Sequence, residues 1–216
     1  MDMRHFTKTQ KGILILVLLC VFLDLLRVQL TQSLNYSFLL WNLFLALIPY
    51  VLSEWYKKTA LHKKNTVQFL FGVLVWLLFL PNAPYIITDF IHFKPNKPMV
   101  WFDLFLLFSF AYTGLLLAII SSRDIYLLVK EKWSNTIAEY TIVFSFFLCG
   151  FGIYLGRFLR FNSWDIIASP IRLLKKSVAS FLEIEAWYIT LGFGVLLWVL
   201  FAIFKNISLE RLSKKS

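Results

Sequence analysis

Charge is what this chain has least of. Asp, Glu, Lys and Arg make up 16% of its 216 residues, where soluble globular domains carry roughly 25%, so a water-soluble fold with a charged surface is excluded. Cysteine is almost absent as well. Cys20 and Cys149 are the two present; each lies inside an apolar run, which rules out a disulfide framework and metal-ligand spacing and leaves both as small packing residues. The few glycines form no phosphate-cradling loop, and neither a GxSxG elbow nor an HExxH pair occurs, so no nucleophile or reaction class can be assigned. There is no repeat, no low-complexity tract and no sign of a second domain. Residues 1–216 are expected to form one integral membrane domain.

Apolar side chains are abundant instead. The chain is 59% hydrophobic and 19% aromatic, with mean hydropathy +0.72. Crossing a hydrocarbon layer of ~30 Å takes about 20 mostly apolar residues, and six runs qualify: 12–30, 36–52, 66–80, 100–120, 138–154 and 186–204. The fold expected is all-α, a polytopic membrane helix bundle of about six transmembrane helices plus a short outer interfacial helix. The third run is short and is followed by Pro81 and Pro84, which break helical continuity. The first run is too long for a signal peptide, holds Asp24 and Arg27 and lacks a small-residue cleavage site, so it is expected to remain as a span. Trp41, Trp55, Trp101, Trp164 and Trp187 fall near the expected interfaces, as membrane tryptophans do.

Lys and Arg counts in the connections set the orientation. With the N-terminus cytoplasmic, the inner segments hold Arg4, Lys8, Lys11, Lys57, Lys58, Lys63, Lys64, Arg123, Lys130, Lys132, Lys205, Arg211, Lys214 and Lys215. The outer segments hold half as many: Lys94, Lys97, Arg157, Arg160, Arg172, Lys175 and Lys176. A multi-pass protein of the cell membrane with both termini cytoplasmic follows. Its net charge of +10 then points to membrane lipids as partners, with anionic headgroups at the cytoplasmic face, and not to nucleic acid, since no basic and aromatic nucleic-acid module is visible. The outer cations cluster in one connection. Between Ile166 and Phe181, Ile167, Ile171, Leu174 and Val178 recur at helical spacing opposite Arg172, Lys175 and Lys176, the pattern of a helix lying in the interface.

Two polar strings stand out against this background, PNAPYIITDFIH at 81–92 and GRFLRFNSWD at 156–165. The topology puts both on the outer side, in company with Asp24, Arg27, Asn42, Asn82 and Asp103. Ionisable groups at membrane depth are costly, so they face the bundle interior and pair. Asp89 and His92, three apart after Pro84, suit one face of a short helix, as a carboxylate-oriented base or as two ligands of a metal completed by Asp103 or Asp165. Arg157 and Arg160 repeat that spacing, which suits a bound phosphate or carboxylate, headgroup snorkelling, or internal pairing with Asp89, Asp103 or Asp165. Asn162 and Asp165 fit a capping arrangement opening the interfacial helix. Asp24 and Arg27 have the spacing of an ion pair within one helix. Gly152 and Gly156 form a small-xxx-small pair for close helix packing. The inner strings GILILVLLC, FLALIPYVL, LLLAII and VLLWVLFAIF offer almost nothing to bind or relay an ion, and His5 and His62 are expected to be solvated in inner loops.

The strings FLPNAPYIITDFIHF (79–93) and GIYLGRFLRFNSWD (152–165), in a six-span chain of this length, resemble the bacterial and archaeal membrane family catalogued as domain of unknown function 1361. The resemblance implies a polytopic membrane protein and no activity, substrate or cofactor. Three functions remain open: an outward-facing enzyme or lipid- and anion-binding protein with Asp89, His92, Arg157 and Arg160 in one polar pocket; a structural or accessory subunit; and a transporter or channel, for which the apolar inner halves are unfavourable.

Overall fold

In the computed structural model, which describes residues 7–95 and 99–213, all regular structure among those residues is helical. Arg4, His5, Lys97, Lys214 and Lys215 lie outside them. The helices are α1 (Lys8–Thr31), α2 (Phe38–Thr59), α3 (Leu61–Lys64), α4 (Thr66–Phe79), α5 (Asn82–Tyr85), a 3-10 helix (Ile86–His92), α6 (Val100–Lys132), α7 (Asn135–Arg157), α8 (Asp165–Ala168), α9 (Pro170–Ser180) and α10 (Ile184–Ser213). Among the described residues, six stretches are long and apolar enough to cross a membrane, so the protein is a multi-pass membrane protein.

Helix starts follow local chemistry. Thr7 accepts from the Gln10 backbone N–H while the Gln10 side chain takes the Thr7 N–H, a complete capping box. Asn65 and Ser134 cap α4 and α7 by the same side-chain acceptance. Successive spans run in opposite directions, which gathers two ends. Residues 31–38, 80–95, 99–100 and 157–184 form the end that carries both motifs, the motif end; the opposite end carries 59–66 and 132–135 with the described termini, the terminal end.

α6 is the axis of the bundle. Two thirds of its apolar window is buried, 67% against 17–39% for the other spans, and its small residues explain why. Ser109, Ala111, Thr113, Gly114, Ala118, Ser121 and Ser122 let neighbouring backbones approach from several sides. Most of their hydroxyls find a carbonyl one turn back: Ser109 donates to that of Phe105 at 2.8 Å, Thr113 to that of Ser109 at 2.7 Å and Ser121 to that of Ala118 at 3.1 Å, while the buried Ser122 hydroxyl has no partner among the described residues. Both cysteines are fully buried, Cys20 beside the Thr113 hydroxyl at 3.4 Å.

The third span does not stop at residue 80. α4 ends at Phe79, but the chain continues through α5 and the 3-10 helix, so the apolar stretch runs over Thr66–His92. Pro81 and Pro84 break the α-helix without ending the span, because the following turn is buried: Ala83, Pro84, Ile86 and Asp89 are all inaccessible. Two glycines make the room. A Cβ on Gly114 would lie 2.2 Å from the Ala83 carbonyl oxygen, and one on Gly152 would lie 2.6 Å from Pro81 Cγ. The fourth span is longer than its apolar run, reaching Lys132 and not residue 120. The interfacial segment is likewise broken, at Ser169, into α8 and α9.

Because the obstacle at Gly114 is backbone, Gly114→Ala should lower the unfolding temperature in detergent by the equivalent of about 1–3 kcal/mol. Gly192, where a Cβ would have nothing within 4 Å, is the control: Gly192→Ala should unfold at or above the wild-type temperature. Equal behaviour of the two variants in a thermal melt followed by size-exclusion would refute the close approach.

Candidate functional site

Asp89 sits at the centre of the motif end. The 3-10 helix turns it into the interior, where it is 1% exposed. Its two oxygens are both taken: Asn42 of α2 donates to Oδ2 at 2.7 Å, and Arg157 at the end of α7 donates to Oδ1. Arg157 Nε also donates to the Thr88 hydroxyl at 2.8 Å, and its guanidinium lies over the Tyr85 ring at 4.4 Å. Of the alternatives open for Arg157, internal pairing is the one observed. Thr88 and Tyr85 lie in the first motif but carry no charge to mark them, although an arginine entering apolar surroundings needs such a hydroxyl and ring as much as a carboxylate.

His92 leaves this network. One 3-10 turn from Asp89, it is exposed, and its ring meets the edge of Phe38 at 5.1 Å. Asp103 is engaged elsewhere, buried and held in a two-pronged contact by Arg27, whose Nη2 donates to Oδ2 at 3.1 Å. The intrahelical pair expected of Asp24 and Arg27 therefore does not form, since Asp103 offers both oxygens to the guanidinium. Asp24 instead faces Ser37, and its Oδ1 is buried without a partner among the described residues. Burial, followed by the Asp103 carboxylate, pushes the Tyr36 phenol above its ordinary value. The described residues contain no group of three or more His, Cys, Asp or Glu placed to hold a metal.

In the second motif, Arg157 and Arg160 do not share a helical face. α7 ends at Arg157, and Arg160 is in the left-handed region with φ 58°, exposed and without an ion pair among the described residues. Asp165 accepts the Asn162 backbone N–H at 2.6 Å, the backward half of a capping box. The forward half is missing, because α9 opens separately with Pro170 in its first turn. Asn82 ties the motifs together, donating to the Phe79 carbonyl at 2.9 Å and the Ser163 hydroxyl at 3.0 Å, while Ser163 donates to the Leu78 carbonyl at 3.1 Å.

Between the motifs lies a cavity of about 710 Å³. One part of its lining is apolar, from Trp41, Leu45, Leu77, Leu148, Phe151 and Leu155; another is polar, from Asn42, Asn82, His92, Arg157, Arg160 and Asn162. Asp89 is not part of this lining and stands behind Arg157. Three of the four residues expected to share a pocket do so.

The terminal end is more polar than its apolar strings imply. Buried Asp124 receives Lys57 at 3.0 Å, and Lys57 also meets Glu54 at 2.6 Å, to which Gln10 donates at 2.7 Å. His62 is not solvated: it is 3% exposed, 2.9 Å from Glu131, and its carbonyl accepts from Lys132. These groups lie just past the apolar strings, on helical extensions that hydropathy alone does not delimit.

A family model described as "Protein of unknown function (DUF1361)" matches residues 41–200. No curated protein and no solved structure matches the chain. The matched region runs from α2 into α10 and takes in both polar motifs with the cavity between them, so the chain belongs to the DUF1361 family.

Proposed function

We propose that the protein binds an anionic amphiphile at the outer face of the cell membrane, with both termini cytoplasmic. The cavity between the motifs carries this reading, because its lining passes from leucine and aromatic side chains to arginine, histidine and amide groups within one enclosure. Its volume lies within the ~300–1,000 Å³ typical of ligand sites. An acyl or prenyl chain fits the apolar part, and a phosphate or carboxylate headgroup the basic part. Arg160 is the principal anion contact, since no carboxylate among the described residues competes for it. Arg157 is held by Asp89, which makes Asp89 a positioning residue. Any proton transfer to the headgroup falls to His92, the one imidazole in the lining. Anionic cytoplasmic headgroups would face the basic terminal end.

A structural or accessory role is the second reading, favoured by the way Asp89 and Arg157 satisfy each other. Arg160 separates the two, because it holds no other described residue in place.

Arg160→Ala should fold like the wild type but lose most of the anionic lipid that co-purifies in detergent, measured by mass spectrometry. Retention of the same lipid complement would overturn the binding role. For the network beneath it, Asp89→Leu strands a largely buried guanidinium and should cost about 3–5 kcal/mol. Adding Arg157→Met should recover most of that stability while lipid retention stays low. Recovery of both would leave only the structural reading.

Sidedness has its own test. Lys94→Cys should react with an impermeant thiol reagent in intact cells, and Ser134→Cys only after the membrane is opened, the native cysteines being buried. The reverse pattern would invert the orientation.

A further inference from the structure

A second, smaller recess of about 130 Å³ opens next to the main cavity, and its lining is polar throughout: Arg27, Asn35, Tyr36, His92, Lys94 and Asp103. Four separate parts of the chain supply it. Arg27 comes from the end of α1, Asn35 and Tyr36 from the connection to α2, His92 and Lys94 from the end of the third span, and Asp103 from the first turn of α6. No apolar chain could gain from entering, and the space suits a compact ion.

The charges indicate which sign. Asp103 is bound by Arg27 through two nitrogens, which leaves Nη1 without a hydrogen-bond partner among the described residues. Lys94 and Asn35 are exposed and make no side-chain bond among the described residues. Of the other carboxylates in the two motifs, Asp89 belongs to Asn42 and Arg157, and Asp165 to the Asn162 backbone. The recess thus keeps an ammonium, an unspent guanidinium nitrogen and an amide around one neutralised carboxylate. The Tyr36 hydroxyl already donates to the His92 carbonyl at 3.4 Å, so it lines the recess without adding a free donor. Donors converge here with a surplus positive charge, the arrangement that oxyanions favour.

We propose that this recess is a second binding site, for a small water-soluble oxyanion of the phosphate or carboxylate type, held by Lys94, Asn35 and the free edge of Arg27. It is separate from the amphiphile site and does not depend on it. His92 lines both spaces and forms the partition between them. A lipid-facing ligand and a water-facing ion would therefore meet across one imidazole.

The test uses the full-length protein in a neutral detergent, titrated with inorganic phosphate and separately with acetate by isothermal calorimetry. Saturable binding of at least one ion is expected, weakened roughly ten-fold or more by Lys94→Ala, the loss of one charge-assisted bond. Arg160→Ala should leave that binding unchanged, and Lys94→Ala should leave co-purifying lipid unchanged. These two controls distinguish a free ion in the recess from a lipid headgroup in the main cavity, and they separate failure of this site from failure of the amphiphile site. His92→Ala should alter both. No saturable binding of either ion to the wild type, or equal affinity in Lys94→Ala, would overturn the proposal. So would a loss of ion binding in Arg160→Ala, which would place the ion in the larger cavity.

Discussion

A carboxylate buried at membrane depth is stable only if something neutralises it, and Asp89 is where that constraint shapes this fold. Arg157, Asn42, Thr88 and Tyr85 all converge on it or on its partner. Their positions are α7, α2 and the interrupted third span, so one polar contact fixes three elements that apolar packing alone would let slide. The ion pair need not add net stability to do this. Its effect is to make alternatives costly, since any arrangement that separates the pair strands a charge in an apolar setting.

The same contact explains why the third span is broken where it is. The turn at Pro81 re-aims the segment so that Thr88 and Asp89 both meet Arg157, and Gly114 and Gly152 leave room for the broken segment to press against α6 and α7. Both glycines serve backbone approach rather than flexibility. The interruption lies at one end of the bundle and coincides with the polar motif, so its consequence is a local site and not an evident path through the membrane.

Much of this was legible in the sequence, for reasons that can be named. Six apolar runs in a charge-poor chain admit little except a helical bundle, and alternation of direction brings Asp89 and Arg157 to one end without further information. Pairing was the weak point. Spacing of three suggests an Asp24–Arg27 ion pair and one helical face shared by Arg157 and Arg160, but Asp103 wins Arg27 by presenting two oxygens, and the end of α7 removes Arg160 from the helical face. Local spacing identifies which groups could meet; only the tertiary fold decides which partner offers better geometry. The terminal-end network of Glu54, Lys57 and Asp124 was hidden for a different reason: helices extend beyond their hydrophobic windows, and hydropathy is silent about those extensions.

The amphipathic segment after the second motif gains its meaning from the cavity. Ile166 and Leu173 contribute to the cavity lining, while Ile167, Ile171 and Leu174 expose their apolar side chains outward. One short stretch of chain is thus apolar on both its cavity side and its outer side, with Arg172 stacked over Phe161 at 5.6 Å between the second motif and α9. A helix in the interface shields its outer face with acyl chains and leaves its cations among headgroups. On that arrangement, an amphiphile moving from the bilayer to the basic end of the cavity would stay in contact with apolar surface and would not have to expose its chain to water. On the proposed reading, the cations of this segment would have a physical reason to be there, because they would sit where an anionic headgroup enters.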